Sequence, residues 1–461
     1  MILLLLLIIP LLGGVLGLLW QRRASSLSAF SIASVFALTL YAYFWGESRT
    51  GLEDFWLLEF KADWFYLGLD GLSFVLLLTS EIMAGLALVL SFDKPKEQFF
   101  LLTTVSGLIG LLLSIDLLSF FVFWELMLVP VYFWVLLYGK ERKIFAALQF
   151  IIFTQLSGLI LLASIIALFN YTGTLDINQL SGIQLPAGPE FWIASGFTLA
   201  FLIKLPAFPL HTWMPSLFRD APIPAILVGL LIKTGAYGLL RFVLPLFPQS
   251  AQVLAPFMMF LGGIGVIYGA VLAFSQKNPR KVLAFSTLSH ASLMLMGLFS
   301  NNLLALSGVI VLILTHALAS AGLFVALEAH FGFSLFFAMA LLGLPGLGNF
   351  VGELLLLFGL FQQHPWAAMI GATSLVLGAA YMLRLIIQLY YGSATTNSLK
   401  KSPVLACTGV AMILLWIGLS PAPLLDLVVP TWKDENTEPS QEPEPEPGPG
   451  EELSLEGAGN A

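Results

Sequence analysis

Six ionisable side chains stand inside long apolar runs of this 461-residue chain: Lys204, Lys233, Arg384, Glu81, Glu125 and Glu353. A charge near the centre of a bilayer costs at least about 2.5–3.5 kcal/mol, so such residues face a protein interior or a hydrated path and have partners. Amines and carboxyls hold or release a proton without any cofactor, and the nearness of an opposite charge decides which they do. The set therefore points to ion or proton handling. Its sharpest instance is "FLIKLPAFPLHTWMP", from Phe201 to Pro215. Pro206 and Pro209 remove backbone donors and clash with the preceding turn. Carbonyls freed in this way are tolerated at membrane depth only where protein or water lines the break. Lys204 thus stands beside exposed backbone dipoles in a small polar cavity, as a switchable proton site.

Lys233, in "LVGLLIKTGAYGLLR", lies mid-run among small residues, too deep to snorkel to a surface. Glu125, in "FFVFWELMLVPVYFW", is equally enclosed and is a natural partner for one of the two lysines. Glu353, in "ALLGLPGLGNFVGELLLL", follows a second interruption at Pro345, Gly346 and Gly348. His290 and His316 also lie within apolar runs, where an imidazole either relays protons near neutral pH or hydrogen-bonds a neighbouring helix. His211 caps the first break or admits protons there; His330 and His364 read as loop residues. Arg384 lies near the end of its run and is read as snorkelling, while Glu81 has no assignable partner. Cys407 alone makes no internal disulfide and reads as an inert core thiol. There is no metal-ligand cluster, phosphate-binding loop or dinucleotide fingerprint. The chain is expected to bind no cofactor and no metal, and to move ions with energy released elsewhere.

The elements that position these residues are membrane helices. The chain is 58% hydrophobic and 10% charged, where a soluble domain is roughly a quarter charged. Apolar runs recur at about 20 residues, the length of a spanning helix, and lack the alternation of a membrane barrel. The fold class expected is an all-α polytopic membrane protein of about 14 transmembrane helices. "MILLLLLIIPLLGGVLGLLW" reads as a retained first helix, since its basic residues follow the apolar stretch. Spans seven (190–210) and twelve (333–361) are broken helices, and their breaks at 206 and 345 lie 139 residues, or about five spans, apart. An odd number of spans inverts the second copy, so two inverted five-helix repeats are expected, with sites at their interface. The divisions are residues 1–98 (three N-terminal helices), 99–245 (first repeat), 246–395 (second, inverted repeat) and 396–432 (a C-terminal helix). Residues 433–461 form an acidic Pro/Glu-rich tail, expected to be disordered. Connections after odd-numbered spans carry 13 of the 20 basic residues and the opposite side 4, which places both termini on the periplasmic side.

"DGLSFVLLL" from Asp70, "FWELMLVPVYF" from Phe123, "LIKLPAFPLHTWMPS" from Leu202 and "LLIKTGAYGLLRF" from Leu230 form a recognisable set. With "LAFSTLSHASLMLMG" from Leu283, "THALASAGLF" from Thr315 and "GLPGLGNFVGELLLLFG" from Gly343, the match covers roughly residues 70 to 395. The chain resembles the antiporter-like membrane-arm subunits of respiratory complex I (NADH–quinone oxidoreductase), chain M type. The resemblance implies fourteen helices with the inverted repeats above, Glu125 and Lys204 as the paired carboxylate and lysine of a proton site, Lys233 as the central lysine and Glu353 as the carboxylate of the broken twelfth helix. It also implies neighbouring antiporter-like chains and other membrane-arm subunits as partners, with FMN, iron–sulfur clusters and quinone in those partners. The location implied is a bacterial inner membrane, with an organellar inner membrane as the other possibility. A glutamate at 353 favours this type, because related pumps and multi-subunit sodium/proton antiporters carry a lysine there. Departures are a short connection between spans eleven and twelve, a stretch between Lys204 and Lys233 about two residues short, and Asn278 where an aspartate is usual. Two rival readings are a cation/proton antiporter subunit using the same residues and a non-pumping assembly scaffold.

Overall fold

The computed structural model describes residues 1–45, 58–62, 65–222, 233–329, 331–391 and 401–428. The acidic tail from Asp434 and His330 lie outside the described residues. The chain begins with α1 (Ile2–Leu19) and α2 (Ala24–Trp45), followed by strands β1 (Leu58–Ala62) and β2 (Phe65–Leu69). The strands pair antiparallel with Leu58 opposite Leu69 and Ala62 opposite Phe65. Among the described residues this small sheet is the departure from an all-helical expectation, and it forms between the apolar runs of α2 and α3.

Helices α3 (Gly71–Leu90) and α4 (Pro95–Leu113) lead to α5 (Leu117–Leu126) and α6 (Leu128–Tyr138), a nearly continuous pair. Next come α7 (Lys143–Thr172), the short α8 (Ile177–Leu180), α9 (Ala187–Lys204) and α10 (Trp213–Asp220). Residues 233–238 form α11, which passes through a π-helical turn (Leu239–Val243) into α12 (Leu244–Leu246). The second half holds α13 (Pro248–Ser275), α14 (Pro279–Leu298), α15 (Leu303–Ala329), α16 (Phe331–Leu342), α17 (Gly348–Gln363), α18 (Pro365–Tyr391), α19 (Lys401–Leu419) and α20 (Ala422–Val428). Aspartates end the apolar runs as helix caps: Asp70 accepts from Ser73 N and Asp116 from Ser119 N, both at 2.7 Å. Asn278 caps α14 by accepting from Arg280 N at 2.9 Å, so the amide here fills the place of an acid.

Among the described residues, ten helices are long and apolar enough to cross a membrane, or eleven if the pair α19 and α20, bent by 84°, counts as one. Spans seven, eight and twelve of the fourteen expected are not among these. Span seven ends early, at Lys204, and span twelve divides into α16 and α17 around residues 343–347. Span eight is described only from residue 233. Gly343 and Gly346 take φ of +82° and +92° in that turn, a region that glycine enters at little cost.

Burial separates the helices where hydrophobicity cannot. α15 is buried along its whole apolar span, and α14 nearly so, whereas α1, α2, α7 and α18 show apolar faces outward. Lipid is as apolar as a protein core, so both kinds of helix read alike in sequence. At Gly308, an added Cβ would overlap the backbone of α17 at Gly352 and Leu356, which is why α15 and α17 meet backbone to backbone.

A buried ion pair ties the cap of α3 to the π-helical turn after α11. Arg241, in the π-helical turn, donates from Nη1 to Asp70 Oδ2 at 2.6 Å, and Asp70 is fully buried. Nearby, Ser73 Oγ and Tyr237 Oη both donate to the Leu112 carbonyl, at 2.8 and 3.1 Å. Removing one member of such a pair strands a buried charge, at a cost of about 3–5 kcal/mol. Arg241→Ala is therefore expected to lower the midpoint of thermal unfolding of the detergent-solubilised assembly, with less protein recovered. Asp70→Ala should behave the same way, and unchanged midpoints in both would show that the pair is dispensable.

Candidate functional site

Lys204 is the last residue of α9 and is fully buried. The chain turns away after it, and the carbonyl of Ile203 that the break frees is taken up by the Trp213 indole, whose Nε1 donates at 3.1 Å. Ala207 N reaches back to the Leu202 carbonyl at 3.1 Å. The backbone of the break is thus satisfied by protein, but the lysine is not. Its Nζ has no hydrogen-bond partner among the described residues and lies 4.8 Å from the centroid of the Trp124 ring. An ammonium over an indole face is attracted by the ring quadrupole rather than held by a hydrogen bond to a described residue.

Glu125 follows Trp124 on α5 and lies within electrostatic reach of Lys204, though the two form no ion pair within 4.0 Å. Glu125 Oε2 instead accepts from Gln155 Nε2 of α7 at 2.9 Å, while Oε1 has no partner among the described residues. Gly158, one turn along α7, makes room for that carboxylate: a Cβ there would overlap Oε1. Acid and amine stand near each other but apart, with the acid held by a neutral amide.

Lys233 begins the described part of α11 and is 2% exposed; its Nζ lies 3.7 Å from Met294 Sδ of α14. Gly235 lets α11 approach the end of α9, since a Cβ there would meet Leu205 N and the Phe201 carbonyl at about 2.5 Å. His316 of α15 is within electrostatic reach of both Lys233 and His290. The two imidazole rings lie 4.6 Å apart between centroids. Ser320 Oγ is 3.3 Å from His316 Nδ1, and His316 Nε2 has no partner among the described residues.

His290 is fixed on both sides. Its Nδ1 is 2.9 Å from the Ser286 carbonyl and its Nε2 is 3.0 Å from Glu353 Oε1 on α17. A carbonyl can only accept, so Nδ1 carries a hydrogen. The second bond then needs a proton of its own, held either by Nε2 or by the carboxyl group. The His290–Glu353 contact is therefore a proton-holding site by hydrogen-bond accounting alone. Glu353 Oε2 has no partner among the described residues, and the turn at Gly343 passes close beside it. The carboxyl lies at the interruption between α16 and α17.

The structure thus brings Lys233, His316, His290 and Glu353 into one cluster, and Glu125 and Lys204 into a second. Sequence reasoning missed Gln155, Gly158 and Trp124 at the second cluster; Gln155 was visible as an amide in the apolar run "FIIFTQLSGL". It also missed His290 as the direct partner of Glu353. His211 is 5% exposed and packs against Phe208 and Tyr268, and His364 ends α17. Arg384 is half-buried, donates to the Phe274 carbonyl and lies 4.8 Å over the Phe274 ring, as a side chain reaching for a helix end would. Among the described residues no group of three metal-ligating side chains gathers.

Residues 114–331 match the family model described as NADH:quinone oxidoreductase/Mrp antiporter, TM. Subunit M of the NADH-quinone oxidoreductase of Pseudomonas aeruginosa is 36% identical over 482 residues, covering 92% of this chain and 95% of that one. A chain of respiratory complex I from Thermus thermophilus with bound NADH superposes with a TM-score of 0.85 at 28% identity, covering 94% of this chain and 98% of that chain. A chain of the Mrp complex from Dietzia sp. has the same fold, with a TM-score of 0.80 at 20% identity over 93% of this chain and 96% of that one.

Proposed function

The chain belongs to the family of subunit M of NADH-quinone oxidoreductase, and from that premise we propose how its buried charges carry protons. It is a multi-pass membrane subunit of a proton-translocating NADH–quinone oxidoreductase, working among the other membrane-arm subunits of that complex in the inner membrane. The redox cofactors belong to other subunits. We take those to be FMN, iron–sulfur clusters and a quinone, whose reduction supplies the energy.

The observation that carries the reading is the separation of Glu125 from Lys204, with Gln155 on the acid and, among the described residues, the Trp124 ring in place of a hydrogen-bond partner beneath the amine. Two unit charges 4 Å apart interact by about 4 kcal/mol at an effective dielectric near 20. Closing the pair stabilises the ammonium and loads Lys204; opening it, with Gln155 taking the carboxylate, releases the proton. Lys233 receives it, His316 and His290 pass it on, and Glu353 governs release at the interruption between α16 and α17. Bonds form and break only to hydrogen, and no residue is consumed.

The finer architecture is part of the same proposal. The interruptions after Lys204 and around 343–347 support fourteen spans in two inverted repeats, 99–245 and 246–395, after three helices in 1–98 and before one in 396–432. The charge balance of the loops supports both termini outside.

The test is the assembly purified in mild detergent and placed in sealed vesicles. NADH-driven acidification in sodium-free buffer, together with flavin and iron–sulfur subunits, is the expected result. Sodium-dependent exchange without those subunits would replace this reading with a cation antiporter.

A further inference from the structure

One intramembrane carboxyl takes no part in the path above. Glu81 lies midway along α3 and is 2% exposed. Its Oε1 accepts from Thr39 Oγ1 of α2 at 2.7 Å, and its Oε2 has no partner among the described residues. α3 packs against α2, α4, α15, α19 and α20. The titratable side chains described on those helices are Tyr41 and Tyr43 on α2, Lys96 and Glu97 on α4, His316 on α15, Cys407 on α19 and Asp426 on α20. None of them bonds to Glu81, and Glu97 is committed to Lys94 at 3.0 Å and to Trp134 Nε1 at 3.1 Å.

A buried carboxylate needs an opposite charge or several donors, and one neutral hydroxyl falls far short of that. A carboxylic acid, being uncharged, does not. One turn further along the same face, the space at Gly85 is open: among the described residues, no heavy atom beyond the glycine's own stretch of helix lies within 4 Å of where a Cβ would stand. Leu78, Ile82 and Gly85 are half-buried along this edge of α3, and α2, the helix covering Glu81 through Thr39, turns an apolar face outward. Among the described residues, Glu81 is therefore enclosed, without a compensating charge and next to a gap.

We propose that Glu81 is a second proton-binding site of this chain, a carboxylic acid held by Thr39 away from the Lys204–Glu353 path and reachable by apolar carbodiimides through the gap at Gly85. The chemistry of the probe requires the acid form. The carboxyl proton goes to one carbodiimide nitrogen and the carboxyl oxygen to the central carbon; an oxygen-to-nitrogen acyl shift then leaves a stable N-acylurea. Nothing is oxidised or reduced.

The experiment uses the assembled complex in its own membranes, treated with dicyclohexylcarbodiimide and mapped by peptide mass spectrometry, alongside infrared spectra in H2O and D2O. An adduct on Glu81 is expected, as is a protonated C=O band that is lost in Glu81→Gln. Thr39→Val should shift that band to higher frequency by removing its hydrogen bond. Because the site is off the path, Glu81→Gln should keep the wild-type ratio of protons moved to NADH oxidised. No adduct at residue 81, or no protonated band attributable to it, would overturn the acid form. A Glu81→Gln complex that assembles but does not pump would overturn its place outside the path. If that variant fails to assemble, labelling of the wild type and the Thr39→Val spectrum still decide the matter.

Discussion

Lys204→Arg is expected to leave the complex assembled and to abolish its proton pumping. Arginine keeps the positive charge, so its attraction to the Trp124 ring and to the nearby Glu125 persists. What it loses is the ability to give up a proton, because a guanidinium stays protonated in proteins. Lys204→Ala removes charge and proton together, and Glu125→Gln removes the partner that loads the lysine. An interaction of about 4 kcal/mol corresponds to roughly a thousandfold change in proton affinity, so each change should reduce NADH-driven acidification in vesicles to near background. The double variant should be no worse than either single one, since the residues act as a unit. Native gels report assembly and a pH-sensitive dye reports pumping. A Lys204→Arg complex that pumps at the wild-type rate would show that this amine never deprotonates during turnover. A scaffold role predicts the reverse order of damage, with Lys204→Ala failing to assemble and Lys204→Arg working.

The spans and the charges inside them were legible because a bilayer punishes both short helices and buried ions, and each penalty marks the sequence directly. Proline and glycine act locally in the same way: α9 ends two residues before Pro206, and α16 ends just before Gly343 and Gly346 take positive φ. Partnerships were not legible, because they depend on how helices are rotated against one another. Glu125 suggested a lysine partner from its enclosure, yet the atom bonded to it belongs to Gln155 on a helix that starts 18 residues further along. Glu353 had no partner assigned from its sequence context, and the structure places His290 against it and His316 beyond. The paired strands before α3 escaped notice because ten ordinary residues between long apolar runs carry little signal. The bent end at α19 and α20 escaped for the opposite reason, as Ser420 and Pro421 interrupt a run that stays apolar on both sides.

Glu353→Gln isolates the acid function at the far end of the path. In the wild type, His290 gives Nδ1–H to the Ser286 carbonyl, and the contact with Glu353 needs one further proton. Glutamine fits the same space and can donate its amide N–H to an unprotonated Nε2, so the bridge between α14 and α17 survives. The amide cannot release that hydrogen as a proton, and a positioned acid or base is worth roughly a hundredfold or more in proton transfer. Assembly and thermal midpoint should therefore stay near wild type while acidification falls by about two orders of magnitude. Glu353→Ala goes further: it also empties the place beside Gly343 and removes His290's partner, so a loss of stability should accompany the loss of pumping. His290→Gln should resemble Glu353→Gln, because either change leaves one hydrogen bond but replaces one of the two titratable groups, so no proton can pass between them. If Glu353→Gln pumps normally, the proton at this contact is structural and release must leave by another group. In that event the unpartnered Nε2 of His316 is the next site to substitute, since it is the last imidazole nitrogen of the cluster without a fixed bond among the described residues.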